Sequence, residues 1–440
     1  MRHASILSRA VLLLATSLAA SLAPTVPAVL SAQGQPLPPI AEDPRIHEAV
    51  ATASADRIKR DIATLVGFGT RHTMSDTMST TRGIGAARRW IFAEFEKISK
   101  GCGGCLDVRY VSDIVKGDPN GRIKQDINVV NVVAVLRGAT EPNRYLVHTG
   151  DIDSRVTDVL NATSDSPGAN DNASGIAALL EAARLMSRHR FAASVAWIAL
   201  SSEEQGLQGG DIAAKYAQTQ GWRIDAVINN DMVGNSRGID GVHENTKARV
   251  FAPGLPANTP AAELRRILTN GGELDTPSRQ LARYIDMVAD RYHPNMDVEI
   301  IYRLDRYGRG GHHTPFFNLG AAAVRLMEAH EDYTKQHQDL RTEQGIKYGD
   351  VLEGVDFDYA AKMTGAVQPS PTLRWKASPS PDVIGYRIYW RKPSEVNWTR
   401  SRFVGNVTEY TLKNVIIDNY YFGIAAVGKN GQESLVAFPR

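Results

Sequence analysis

The chain has 440 residues, enough for one large domain and a smaller one. With 43% apolar and 22% charged residues, its balance is that of globular protein and excludes a disordered or collagen-like chain. A formal net charge of +2 gives no reason to expect nucleic acid or an anionic membrane as partner.

The N-terminus differs from the rest. Arg2 and Arg9 precede an apolar core, Val11 to Leu22, which is followed by small residues with candidate cleavage sites at Val26-Pro27-Ala28 and Leu30-Ser31-Ala32. Residues 1–32 therefore read as a secretory signal peptide, too short and wrongly flanked for an anchor. Beyond it, no window reaches the roughly 20 apolar residues of a membrane span. The expected location is secreted or periplasmic. The two cysteines, Cys102 and Cys105, lie in GCGGC after a predicted helix and before a predicted strand. A thiolate zinc site would need about four ligands, and a redox motif would open a helix, so a local disulfide is expected.

Residues 33–366 form the larger domain. Asp43 and Pro44 predict the start of a helix running through Ile58, Ile62 and Val66. Gly67 to Ser75 is a loop, and its His72 reads as a surface or loop-packing histidine rather than a ligand. Gly83 to Ser99 places Ile84, Ile91 and Phe95 on one helical face. Strands are predicted at 108–115, 127–136, 145–149, 194–200, 226–229, 298–302 and 322–327. Helices are predicted at 173–188, from about Leu207, and at 260–268, 277–292 and 348–363. This alternation argues an α/β fold, a mixed but largely parallel sheet covered by helices on both faces. Residues 367–371 (VQPSP) are a linker. Over 372–440 the pattern changes to short alternating strands at 373–375, 386–390, 410–412 and 420–426, an all-β sandwich. It resembles a fibronectin type III domain, which implies a spacer or a binder of a polymer or surface ligand.

Chemistry concentrates at strand ends. Asp151, the pair Glu203-Glu204, and Asp231 each follow a predicted strand, at the edge where open α/β sheets assemble their sites. One such acid is ordinarily a turn residue, and a glutamate pair ordinarily a solvated one. Three strands ending in acids argue for a shared cation, because clustered carboxylates are costly to bury without one. Asp171 could cap the helix after it, but Asn172 could do so equally well. His337, in a loop with Glu331, Asp332 and Asp339, suits a nitrogen ligand with carboxylates nearby.

The motifs PGANDNASG, SSEEQGLQG, NNDMVG, RGGHHTPF and HEDYTKQHQD occur in this order between about Asp56 and Lys362. They resemble the exported co-catalytic zinc aminopeptidases of metallopeptidase family twenty-eight, which are related to glutamate carboxypeptidases and glutaminyl cyclases. The resemblance implies peptide or protein substrates, removal of N-terminal residues and two divalent ions, zinc by family habit. It implies that Asp171 bridges the ions, Asp231 and position 151 complete one site, and Glu204 and His337 the other. Glu203 would be the general base, and Asp153 would orient the ligand at 151. Two such ions about 3.5–4 Å apart acidify a shared water and polarise the scissile carbonyl.

One motif departs. Where the family has GHxDS, this chain has Gly150-Asp151-Ile152-Asp153-Ser154, and His312 stands where the family usually has aspartate. A carboxylate can ligate zinc, but its extra charge favours harder ions such as manganese at the Asp151 site. His312 would offset that charge or enter the site. His148 points to the opposite face of its strand from position 151. Gln336 occupies a place where some relatives carry a tyrosine that stabilises the intermediate. A carboxypeptidase or dipeptidase on the same site, and a non-catalytic binding protein with a decayed site, are the rival readings.

Overall fold

The computed structural model describes residues 42–305, 310–332, 335–343, 346–348, 372–392, 395–412 and 420–438. The signal-peptide segment, the linker at 367–371 and the helix expected over 348–363, Tyr348 apart, lie outside the described residues.

Helix α1 (Pro44–Ala51) opens on Asp43, whose carboxylate accepts the Arg45 N–H, with proline in the first turn. The single helix expected through Val66 is two. Thr52 Oγ1 turns back to the Glu48 carbonyl, and Ser54 caps a new helix, α2 (Ala55–Gly67), by accepting the Arg57 N–H. The break lets α2 bury Ile58, Ile62 and Leu65, whereas α1 buries nothing. Helix α3 (Gly83–Gly101) adds Ile84, Ile91 and Phe95 to the same core. Cys102 and Cys105 are joined in a disulfide in the turn that follows.

Eight strands make the main sheet: β1 (Leu106–Val115), β2 (Ile127–Leu136), β3 (Glu141–Asp151), β4 (Ala193–Leu200), β5 (Arg223–Asn230), β6 (Lys247–Phe251), β7 (Asp297–Ile301) and β8 (Ala323–Glu328). Their order is β1-β2-β4-β3-β5-β8-β6-β7. The central run β4-β3-β5-β8 is parallel, while β1, β2 and the β8–β6 pairing are antiparallel. Alternate residues of each strand face opposite sides. On one face, Val132, Ala134 and Trp197 pack against α2, α3 and α4 (Gly175–Met186). On the other, Val133, Val135 and Ile198 pack against α5 (Gln208–Thr219) and α8 (His313–Asn318). Helix α6 (Ala261–Thr269) buries nothing, and α7 (Pro277–Tyr292) covers β7 and β8. Strand β6, with five residues, and helix α8, with six, are too short to declare themselves by periodicity.

The chain passes from β3 through α4 to β4 on one side, then through α5 to β5 on the other. This reversal opens a crevice at the carboxyl ends of the strands. Gly150 is level with Ala199 and Asn230, so the three strands end together, and the acids after them converge.

A hairpin, β9 (Arg341–Glu343) and β10 (Ile346–Tyr348), follows the main sheet and takes Tyr348 as strand rather than helix. C-terminal to it, β11 (Thr372–Arg374) pairs β14 (Glu409–Thr411), and β12 (Val383–Arg391) pairs both β13 (Arg400–Phe403) and β15 (Tyr421–Gly428). Ile388, Trp390, Leu412 and Phe422 form the core of this all-antiparallel part.

Candidate metal centre

The loop after β3 is held from behind by one buried cation. Arg71 donates Nε to Ile152 O (2.8 Å), Nη1 to Pro167 O (2.7 Å) and Leu65 O (3.2 Å), and Nη2 to Gly168 O (2.8 Å). Both ends of the loop that carries Asp151, Asp153 and Asp171 are thus tied to one guanidinium. Burial lowers its pKa to about 10, against the pull of Asp153 and Asp171. Gly168 has φ +48, and a Cβ there would lie 2.4 Å from Asp171 O, so the turn requires glycine. His72 is buried and packs this loop, its Nε2 2.9 Å from Val159 O and its Nδ1 accepting the Met74 N–H.

The turn into α4 separates two roles that the sequence left open. Asn172 Oδ1 accepts the Gly175 N–H at 3.0 Å, while Asp171 keeps a non-helical backbone (φ −106, ψ 94). Asn172 is the cap. The Asp171 carboxylate is left to turn toward the crevice.

At the end of β4, Ser202 adopts φ 66 and reverses the chain. The N–H groups of Glu203 and Glu204 then donate to Asp153 Oδ1 (3.1 Å) and Oδ2 (3.0 Å). Asp153 also accepts from Thr73 Oγ1 at 3.2 Å, so these bonds run to the glutamate pair and Thr73. Arg122 Nη1 donates to Glu204 O at 2.6 Å, and Arg155 Nε donates to Glu204 Oε2 at 2.7 Å. The other oxygen, Glu204 Oε1, lies 2.9 Å from His337 Nε2, which is 3.1 Å from Asp171 Oδ2. His337 itself sits at φ 51, a sparsely populated conformation for a non-glycine residue.

Ligand atoms of Asp171, Glu204 and His337 all lie within 4.8 Å of one another. Two carboxylate oxygens and one imidazole nitrogen are a zinc donor set, and these residues fit one ion. Burial opposes a charged His337, but its hydrogen bonds to Asp171 and Glu204 outweigh that and raise its pKa to about 9. The same concentration of negative charge acts on Glu203. Burial first, then Glu204, Asp231, Asp151 and Asp153, push its pKa well above the usual carboxylate range.

The other pair of expected ligands is differently engaged. Asp151 Oδ1 lies 2.5 Å from His312 Nδ1, and its Oδ2 accepts from Asn172 Nδ2 at 2.6 Å. Asp231 Oδ2 lies 3.2 Å from Arg325 Nε, which also donates to the Asp231 carbonyl at 2.6 Å. Among the described residues, no trio containing Asp151 or Asp231 brings its donors as close together as Asp171, Glu204 and His337 do. These residues do not fit a second ion. His148 is half-buried; loss of solvent lowers its pKa to about 4, against a hydrogen bond with Asn230 that raises it. Gln336 Nε2 donates to Glu331 Oε2 at 3.2 Å.

The acids and His337 are signalled by their places after strands, whereas the cations that hold them are not. Arg155, one residue from Ser154 in the acidic loop, could have been noticed as a positive charge among carboxylates. Arg71 and Arg325 carry no local signal, since their partners lie far away in sequence.

The sequence profile of peptidase family M28 matches residues 131–349. A probable zinc metalloprotease of Leptosphaeria maculans is 39% identical over 426 residues, spanning 91% of this chain and 97% of its own. One from Pyrenophora tritici-repentis is 37% identical, spanning 90% and 98%. Among solved structures, the LapA aminopeptidase of Legionella pneumophila shares the fold with a TM-score of 0.51 at 17% identity, over 76% of each chain.

Proposed function

The chain belongs to peptidase family M28, among its zinc metalloproteases, and from that footing we propose that it is an exported aminopeptidase working through Glu203. The carrying observation is the unequal treatment of adjacent glutamates. Glu204 is bound to Arg155 and His337, whereas burial, and then the carboxylates around it, raise the proton affinity of Glu203.

Asp171, Glu204 and His337 would hold a zinc ion, which would supply a Lewis acid for the scissile carbonyl and lower the pKa of a bound water. Glu203 takes the water proton and passes it to the departing amine, the two tasks of one general acid–base group. Asp153 keeps the pair in place through its two backbone hydrogen bonds, and Arg155 keeps Glu204 from turning away. The preference for the amino end follows the aminopeptidase whose fold this chain shares.

Export is supported by the Cys102–Cys105 disulfide, since such bonds persist in oxidising compartments. The antiparallel sheets beyond residue 372 support the reading of that segment as a fibronectin type III-like accessory module.

The test is hydrolysis by the purified full-length chain, before and after chelation and zinc readdition. Aminoacyl anilides should be cleaved in a chelator-sensitive way, and a peptide should lose its N-terminal residue first. Release of the C-terminal residue first would overturn the aminopeptidase reading, and turnover that ignores the chelator would overturn the metal.

A further inference from the structure

The second position of a two-ion centre is the part of the site that the family pattern explains least. Its two private ligands both lie against protein groups, Asp151 against His312 and Asp231 against Arg325.

Arg325 is on β8, beside β5, where it is level with Asn229. Its side chain is only 4% exposed. It reaches Asp231 through Nε and the Asp305 carboxylate through Nη1 at 3.1 Å, so it is clamped between two acids rather than swinging in from solvent. The space around it is shaped for this. A Cβ on Gly311 would fall 2.9 Å from Asp231 Oδ2 and 3.3 Å from Arg325 Cδ.

His312 is seated in a comparable way. It is fully buried, and a Cβ on Gly210 would lie 2.6 Å from its Cδ2, so Gly210 makes the room. From there its Nδ1 meets Asp151 Oδ1, and Asn172 holds the other oxygen while also donating to Asn230 O at 2.7 Å. Both oxygens of Asp151 are thus engaged by side chains from two different elements.

We propose that the chain is a one-metal member of its family, in which the Arg325 guanidinium, with His312, replaces the second metal ion as the partner of Asp231 and Asp151. A dication brought to Asp231 would face a guanidinium whose side chain is only 4% exposed. The exchange of residue types at positions 151 and 312 then belongs to one change, joined by the contact of His312 Nδ1 with Asp151 Oδ1. The inference rests on the peptidase reading above, which supplies the ion at Asp171, Glu204 and His337.

Its test is stoichiometry. The full chain, stripped with chelator and reloaded with excess zinc, is desalted and its metal measured by elemental analysis. A parallel titration with cobalt is followed by visible absorption. One equivalent is expected in both. Two equivalents would overturn this inference and leave the peptidase reading standing. None would overturn the metal reading itself, and this inference with it. Two variants place the ion. Asp231→Asn is expected to retain one equivalent with an unchanged cobalt spectrum, whereas His337→Ala should lose it. Loss of the ion in a folded Asp231→Asn protein would overturn the assignment, and the wild-type count decides the matter if that variant does not fold.

Discussion

Glu203 and Glu204 are covalent neighbours, yet the structure gives them opposite surroundings. Glu204 has Arg155 on one oxygen and His337 on the other. Glu203 has carboxylates around it and a raised pKa. Replacing Glu203 with glutamine keeps the shape and removes the proton acceptor. Glu203→Gln should therefore lower kcat by at least about 100-fold while the zinc content stays as in the wild type. Equal loss of zinc would make Glu203 a ligand instead. Arg155 is a positioning residue. Arg155→Met should loosen zinc by roughly 10- to 100-fold, the usual effect of removing an outer-shell partner, and Arg155→Lys should restore part of it. At this scale the acids were legible because each follows a strand, and strands announce themselves by pattern. The arginines were not, because a buried cation is recognisable only once its distant partners are known.

Among the elements, the loop from β3 to α4 has the strongest dependence on one side chain. Arg71 answers four backbone carbonyls from three segments. Arg71→Met would leave those carbonyls buried without a donor, at about 1–3 kcal/mol for each group that finds no water. A lowered Tm is expected, together with weakened zinc binding, because Asp171 rides on the same loop. An unchanged Tm would mean that water replaces the guanidinium. By contrast, the Cys102–Cys105 disulfide closes so short a loop that Cys102→Ser with Cys105→Ser should cost only about 2 kcal/mol or less. Hydrolysis by that double variant should match the wild type. The long elements were legible from their periodicity, and Pro277–Tyr292 has the predicted limits. The broken first helix was not, because Ser54 reads as an ordinary helical residue until its side chain is seen to cap. The unexpected strand β6 is five residues long, and its neighbours β7 and β8 rather than its own pattern make it a strand.

At the scale of the whole molecule, the two parts meet where β7 carries buried charge. Lys392, from the C-terminal part, reaches Asp297 Oδ1 at 3.3 Å, and Lys247 reaches Asp297 Oδ2 at 3.3 Å. Lys247 and Arg400 both lie over the Tyr420 ring, 5.7 and 5.2 Å from its centre. The change of grammar after residue 371 was visible in the sequence, but this contact was not, since each lysine alone resembles a surface residue. Two positions from Asp297 lies Glu299, completely buried. Burial raises its pKa from 4.5 to about 8, Lys392 and Lys247 opposing the shift and Asp297 adding to it. Because the folded-state value is the higher one, the folded protein binds more protons than the unfolded chain between pH 4.5 and about 8. Stability from this group must fall as pH rises across that window, by an amount on the order of a few kcal/mol. Glu299→Gln cannot ionise and should escape the loss. Its Tm relative to wild type should be greatest near pH 8 and should converge on wild type near pH 4.5. Parallel Tm profiles for the two proteins across this range would mean that Glu299 is ionised in the folded state, with the lysines of the junction as its counter-charges.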